Sequence, residues 1–235
     1  MKPKLILGLS GGVDSAVSAA LLRETYDVRC VFLDIGLGGG EEAGALADSL
    51  SLPFQTVDIR EKLEHFVCAD FHREYLAGRT PLPCARCNPL VKFPALMEAA
   101  EAEGARFVAT GHYARVTAGP DGRVLLRKGQ PANDQSYMLS RLTQTILCRA
   151  GFPLGPYEKT QVRRLSWAWR RRRSPTPWRS ASSQMGTTPP GWTAGAGPRR
   201  RGISLTGTAG YWAGTRATTT TPSARAGAWG CPAPT

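Results

Sequence analysis

At 235 residues, 42% of them hydrophobic, the chain has length and apolar content for one or two soluble domains with a core, and no run approaches the ~18 apolar residues of a membrane span. A net charge of +12 invites a nucleic-acid reading, yet all 18 Asp+Glu and all but 10 of the 30 Lys+Arg precede Ser166, so the excess belongs to Ser166–Thr235 and marks no DNA-binding arm. MKPKLILGLS enters a glycine turn without the apolar stretch of a secretory signal, and six cysteines with a single CxxC suit a reducing compartment, so a cytoplasmic location and no membrane partner are expected.

In chain order, Lys4–Leu9 is a short apolar run ended by Ser10-Gly11-Gly12, and Val13–Leu22 spaces its apolar residues at helical intervals. Asp27–Ile35 predicts a second strand, Gly40–Leu50 a second helix and Phe54–Ile59 a third strand. Helical patterns follow over Arg60–Leu76 and Lys92–Glu103, and Arg106–His112 reads as a further buried strand. Strands alternating with helices predict an α/β fold with a doubly wound parallel sheet, in which ligands bind where strands end and helices begin.

The stretch SGGVDS, Ser10–Ser15, falls at such a place. Two glycines let the backbone pass close to an anion, the start of the following helix offers unpaired N–H groups to phosphate, and Ser10 and Ser15 add hydroxyls. Asp14 would repel phosphate unless a cation is interposed, so it is expected to help hold Mg2+ or to cap the helix. No lysine follows as in an ordinary P-loop.

TPLPCARCNPLVKF, Thr80–Phe93, sets Cys84 and Cys87 three residues apart in a proline-rich turn, with a helix expected to begin near Lys92. A thiol near a helix start and beside Arg86 and Lys92 is expected to ionise easily, as a nucleophile or persulfide carrier requires. Half of a zinc or iron–sulfur site and a reversible disulfide are the alternatives; a structural zinc would need a second cysteine pair, which Cys68 alone does not supply.

SGGVDS directly after the first strand resembles the fingerprint of the PP-loop ATP pyrophosphatases, which cleave ATP between its α and β phosphates. With PxxCxxCNxxxKF, TGHYA (Thr110–Ala114) and NDQSYML (Asn133–Leu139) following in that order, Met1 to about Leu165 closely resembles the bacterial tRNA-specific 2-thiouridylases, and FPLGPYEKTQVRRL (Phe152–Leu165) fits the segment leading into their central domain. The resemblance implies ATP and Mg2+ as cofactors and tRNA as substrate. ATP adenylates the C2 oxygen of the wobble uridine, and sulfur from a persulfide, brought by a sulfur-relay protein or a cysteine desulfurase, replaces that oxygen. It makes Cys87 the catalytic nucleophile, which releases sulfur from a persulfide on a second cysteine. Gly8, Leu9, Ser10, Gly11, Gly12, Val13, Asp14 and Ser15 match the ATP loop, Leu33 a position lining the base, and Gly111 a further ATP contact. Leu82, Pro83 and Cys84 match the segment that meets the target base, and Asn133, Asp134 and Gln135 a tRNA-contacting triplet that usually begins with lysine. No dedicated metal-ligand set is expected. Asp134 and Gln135 could instead cap a helix, and His112 could be a satisfied structural histidine.

The second catalytic cysteine of the family stands in a DSxxICF motif that this chain lacks. Residues 166–235 contain no Lys, Asp, Glu, Asn, His, Phe or Val and abound in Trp, Arg, Gly, Pro, Thr and Ala, with no helical or strand period. Codons exist for which Arg173–Thr188, read one nucleotide early, gives KPDSVEICFVPDGDY, and for which Leu205–Arg225 gives DRDGRVLGRHEGYHHYTVGQ, similar to the family's central domain. The sequence therefore predicts a frameshift near Leu165, an ATP-binding domain over 1–165, and a disordered tail over 166–235 without a native domain. The expected activity is that of a tRNA uridine 2-sulfurtransferase, inactive as written. An iron–sulfur-dependent PP-loop tRNA thiolase with Cys84 and Cys87 as ligands, and a non-catalytic nucleotide-binding remnant, remain alternatives.

Overall fold

The computed structural model describes residues 1–173, with side chains to Ala168. Five parallel strands form the central sheet in the order β3-β2-β1-β4-β7: β1 (Lys4–Gly8), β2 (Asp27–Asp34), β3 (Phe54–Asp58), β4 (Phe107–Ala109) and β7 (Ala150–Gly151). Leu5 pairs with Val28 on one side and Phe107 on the other, so β1 is central and its apolar run KLILG is buried on both faces. Alternation along β1 sends Leu5 and Leu7 into one cluster with Val28, Cys30, Ala43, Ala47 and Leu50, and Ile6 into another with Phe93, Leu96 and Val108. Helices α1 (Val13–Leu22) and α2 (Gly40–Leu50) supply the first cluster, and α6 (Phe93–Ala102) the second.

Helix α3 (Arg60–Leu63) passes through a π-helical turn (Glu64–Cys68) into α4 (Ala69–Leu76), as the single helical pattern over these residues predicts. The next helix begins earlier than expected. Proline occupies N1 of α5 (Pro83–Cys87), and the chain continues through a second π-helical turn (Asn88–Lys92) into α6, so the CxxC lies inside a helical run and not before it. An antiparallel hairpin of β5 (Ala114–Ala118) and β6 (Val124–Lys128), absent from the sequence reading, projects after β4. Two 3-10 turns (Pro131–Asn133 and Ser136–Leu139), α7 (Gln144–Leu147) and β7 follow.

Helix α8 spans Lys159–Arg173, passing the expected boundary at Leu165, and Ser166 on it is buried. The second decoded stretch and all but the first residue of the first, with the rest of the expected tail, lie outside the described residues. Among the described residues, no helix is long and apolar enough to cross a membrane.

Strands β2 and β3 lie to one side of β1, while β4 and β7 lie to the other. The order reverses between β1 and β4, and the loops leaving their carboxyl ends diverge there to open a crevice. Those loops are Leu9–Gly12 and Thr110–Tyr113.

Candidate functional site

The glycine loop takes its shape from two backbone conformations. Gly11 has φ +77°, the left-handed region that glycine enters without a Cβ clash, and Gly12 is extended as the N-cap of α1, with no side chain capping the helix. The first intrahelical bond is Ala16 N to Gly12 O at 3.0 Å, so the amides of Val13, Asp14 and Ser15 precede it. A Cβ on Gly12 would meet only Ser10 Oγ, at 3.5 Å, so space remains over the loop. Ser10 Oγ donates to Ser15 Oγ (3.3 Å), and Ser15 Oγ donates to Gly12 O (2.9 Å). A phosphate fits this cradle of open backbone and uncapped amides.

Asp14 does not cap the helix. Tyr113 Oη donates to its Oδ1 at 2.8 Å, and Lys159 Nζ, from the first residue of α8, pairs with its Oδ2. Both oxygens are engaged, so the carboxylate as held does not fit the Mg2+ expected of it. Lys159 Nζ also stands 5.2 Å from the centroid of the Tyr113 ring. Burial, then the facing Asp14 carboxylate, pushes the Tyr113 phenol well above its ordinary value.

Gly111 closes the other side. Its ideal Cβ would lie 3.3 Å from both Asp14 C and Ser15 N, a backbone approach that leaves no room for a side chain. His112 follows it. Its Nδ1 lies 3.0 Å from Gln135 Oε1, and that oxygen also accepts from Tyr113 N at 3.2 Å, which fixes the amide's orientation. Nδ1 must then carry the proton, leaving the Nε2 lone pair to face Lys92 Nζ at 3.5 Å. Burial, reinforced by the Lys92 ammonium, holds the His112 pKa down at about 4, so the ring is neutral.

Lys92 joins this cluster to the cysteines, since it stands on the helical run that carries Cys87, near enough for its charge to act on that thiol. Contrary to the expectation from sequence, the thiol is not easily ionised. Burial pushes the Cys87 pKa up and outweighs the opposing pull of Lys92, while Cys84 adds to the rise. Arg86 gives no help because it is turned away, donating to Phe66 O (2.8 Å) and pairing with Asp70 Oδ2 (3.0 Å). Nor does Cys87 stand at a helix start: it ends α5 within the longer helical run. Cys84 is exposed, and the five described cysteines, Cys30, Cys68, Cys84, Cys87 and Cys148, are all free thiols. No disulfide, the alternative the CxxC spacing left open, is formed among the described residues. Nor do they contain a group of three or more His, Cys, Asp or Glu side chains placed to hold a metal.

The two segments matched to tRNA contacts meet beside Cys87. Asn88 Nδ2 donates to Met138 O at 2.9 Å, joining the CxxC helix to the 3-10 turn after Asn133-Asp134-Gln135. Leu82, the N-cap of α5, is exposed, Pro83 is half-buried, and Cys84 is exposed beside them. The polar triplet is largely taken up internally. Against the cost of burial, Gly129 N, Ser136 N and Ser136 Oγ donate to Asp134 at 2.9–3.0 Å and hold its pKa below the usual carboxylate value, so this side chain caps a 3-10 turn. Gln135 holds His112 and Tyr113. Asn133, with its amide oriented so that both ends are satisfied, donates to Ala132 O (3.2 Å) and accepts from Lys159 N (3.1 Å). Leu33, half-buried near the carboxyl end of β2, packs against the cluster of Ile59, Val67, Val91 and Ala95 that Cys87 also packs against.

The sequence reading missed Lys159 and Tyr113 as partners of Asp14. Tyr113 stood in the quoted TGHYA stretch and Lys159 in FPLGPYEKTQVRRL, but no local spacing pairs Lys159 with a residue 145 positions away.

The chain is similar to known proteins. Residues 3–171 match the model of the tRNA methyl transferase HUP domain. The tRNA-specific 2-thiouridylase MnmA of Geotalea uraniireducens (strain Rf4) is 40% identical over 190 residues, covering 70% of this chain and 49% of the relative. Its namesake in Heliobacterium modesticaldum (strain ATCC 51547 / Ice1) is 44% identical over 180 residues, covering 69% and 47%. The chain spans about half the length of these curated relatives. A solved structure titled as a predicted subunit of tRNA methyltransferase from Methanocaldococcus jannaschii DSM superposes with a TM-score of 0.45 at 18% identity, covering 70% of this chain and 74% of that one. From the match over residues 3–171 and these relatives, the chain belongs to the tRNA methyl transferase HUP domain family, within its MnmA group.

Proposed function

We propose that this chain is the nucleotide-binding portion of a tRNA uridine 2-sulfurtransferase. The observation that carries the reading is the approach of loop Ser10–Ser15 to Gly111 and of the adjoining His112 to Lys92, which stands on the helical run that carries Cys87. This neighbourhood supports a phosphate cradle and a nucleophilic thiol serving one crevice.

In this reading ATP is a substrate whose phosphates lie on the amides at the start of α1. The C2 oxygen of the wobble uridine attacks the α phosphorus as the bond to pyrophosphate breaks, and sulfur then displaces AMP at C2. Leu82, Pro83 and Cys84 face the target base, and Asn133, Asp134 and Gln135 keep the neighbouring surface in shape for tRNA. Cys87 is the nucleophile that releases sulfur from a persulfide, with Lys92 beside it to favour the thiolate once the thiol gives up its proton. The sulfur comes from a relay protein or a cysteine desulfurase.

The given sequence has no DSxxICF motif, and codons exist for which Arg173–Thr188, read one nucleotide early, gives it. We therefore propose that ATP binding is retained while this polypeptide alone makes little or no 2-thiouridine. The test incubates the purified full chain with ATP, substrate tRNA and a persulfide donor, following nucleotide binding by equilibrium dialysis and 2-thiouridine by mass spectrometry of digested tRNA. ATP binding without the thionucleoside is the expected result. Robust 2-thiouridine would overturn the inactivity, and failure to bind ATP would overturn the nucleotide site.

A further inference from the structure

The loop Gly8–Ser15 offers backbone amides and two serine hydroxyls but no basic side chain. A polyphosphate brings several negative charges to it, and Asp14 adds another within the same turn. In a P-loop this charge is met by a lysine that follows the glycines directly. Here a lysine arrives from far along the chain. Lys159 Nζ pairs with Asp14 Oδ2 and stands 5.2 Å from the centroid of the Tyr113 ring, while Tyr113 donates to the other oxygen of Asp14.

The root of Lys159 is fixed but its tip is accessible. Its backbone N–H is accepted by the Asn133 amide, and its side chain remains 37% exposed. The pair stays open to solvent, so its lysine can exchange carboxylate for a competing anion.

We propose that Lys159 is the phosphate-binding cation of this loop: its ammonium exchanges the Asp14 carboxylate for the pyrophosphate portion of bound ATP. The first turn of α1 provides amides for one phosphate, and Lys159, reaching in over Tyr113, meets the phosphates next to it. Lysine arriving on α8 does the work that the residue after the glycines does in a P-loop. The inference rests on the nucleotide-binding reading above.

The test measures dissociation constants of the full 235-residue chain for ATP, AMP and inorganic pyrophosphate by equilibrium dialysis, in wild type, Lys159→Met and Lys159→Arg, with thermal unfolding of each. Lys159→Met weakens ATP and pyrophosphate by roughly tenfold or more and shifts AMP by less than about twofold, as expected on losing one charge-assisted hydrogen bond to the outer phosphates. Lys159→Arg retains most of the ATP affinity. Equal loss for ATP and AMP with a lowered Tm would mean that Lys159 only ties α8 to the loop, and an unchanged ATP affinity would equally overturn the proposal. If wild type binds none of the three ligands, the nucleotide site itself is wrong and this inference falls with it; wild-type binding with an unselective variant rejects the inference alone.

Discussion

Lys92 Nζ stands 3.5 Å from His112 Nε2, so a buried imidazole faces an ammonium and not a carboxylate. With Nδ1–H given to Gln135, the neutral ring satisfies both neighbours, and a second proton would meet the lysine. The histidine is a neutral bridge between the phosphate loop's neighbour Gly111 and the cysteine helix.

This sets a pH dependence with a definite sign. The His112 pKa is about 4 in the folded chain against an ordinary 6.5, so between those values the unfolded chain binds a proton that the folded chain does not. The stability from this group is complete above pH 6.5 and is lost as pH falls toward about 4. Denaturant unfolding at about pH 7, above this window, and about pH 5, inside it, should show a drop that His112→Asn reduces. An imidazole resonance titrating near its ordinary value would contradict the buried neutral ring.

Gln135 should behave as a structural clamp. Gln135→Ala leaves Tyr113 N and His112 Nδ1 without their acceptor, and destabilisation of about 1–3 kcal/mol is expected in thermal or denaturant unfolding. Gln135→Glu places a carboxylate against Nδ1 and should move the His112 pKa upward from about 4, readable by NMR titration. If the pKa stays where it is, the Gln135 contact is not what sets the tautomer.

Thiol reactivity should follow exposure. Cys84 is exposed, whereas burial raises the Cys87 pKa, so iodoacetamide at neutral pH should label Cys84 first by peptide mass spectrometry. Raising the pH should speed Cys87 disproportionately, and Lys92→Met should slow it by removing the charge that opposes its rise. Faster labelling of Cys87 at neutral pH would show that Lys92 outweighs burial.

Gly111→Ala tests the closeness of the two loops. The added methyl would meet Asp14 C and Ser15 N at 3.3 Å, both backbone atoms that cannot rotate aside. A stability loss of about 1–3 kcal/mol and weaker ATP binding are expected, measured by unfolding and equilibrium dialysis. Unchanged values for both would show that the glycine loop yields freely.

The sheet was legible because its strands are apolar runs and its helices carry a 3.6-residue period: Val13–Leu22 and Gly40–Leu50 occur where that pattern places them. The hairpin was not read, although Pro120-Asp121-Gly122 between Arg115-Val116-Thr117 and Val124-Leu125-Leu126 is turn chemistry flanked by strand formers. The candidate site was half legible. SGGVDS and CxxC announce themselves locally, but the orientation of Arg86 depends on Asp70, and the occupancy of Asp14 depends on Lys159, which no local spacing encodes. The same dependence made Cys87 look easier to ionise in the sequence than burial allows.

The pairing of Leu5 with Phe107 has a further consequence in time. The phosphate loop leaves β1 almost at the start of the chain, but Gly111 and His112 reach it only after β4 docks, once two strands and their helices have been laid down on the other side. Such long-range parallel contacts form slowly, because the closure entropy of the intervening chain must be met before they stabilise anything. During synthesis, therefore, the loop exists as a strand end with one wall, and the crevice is among the last features of this sheet to be completed.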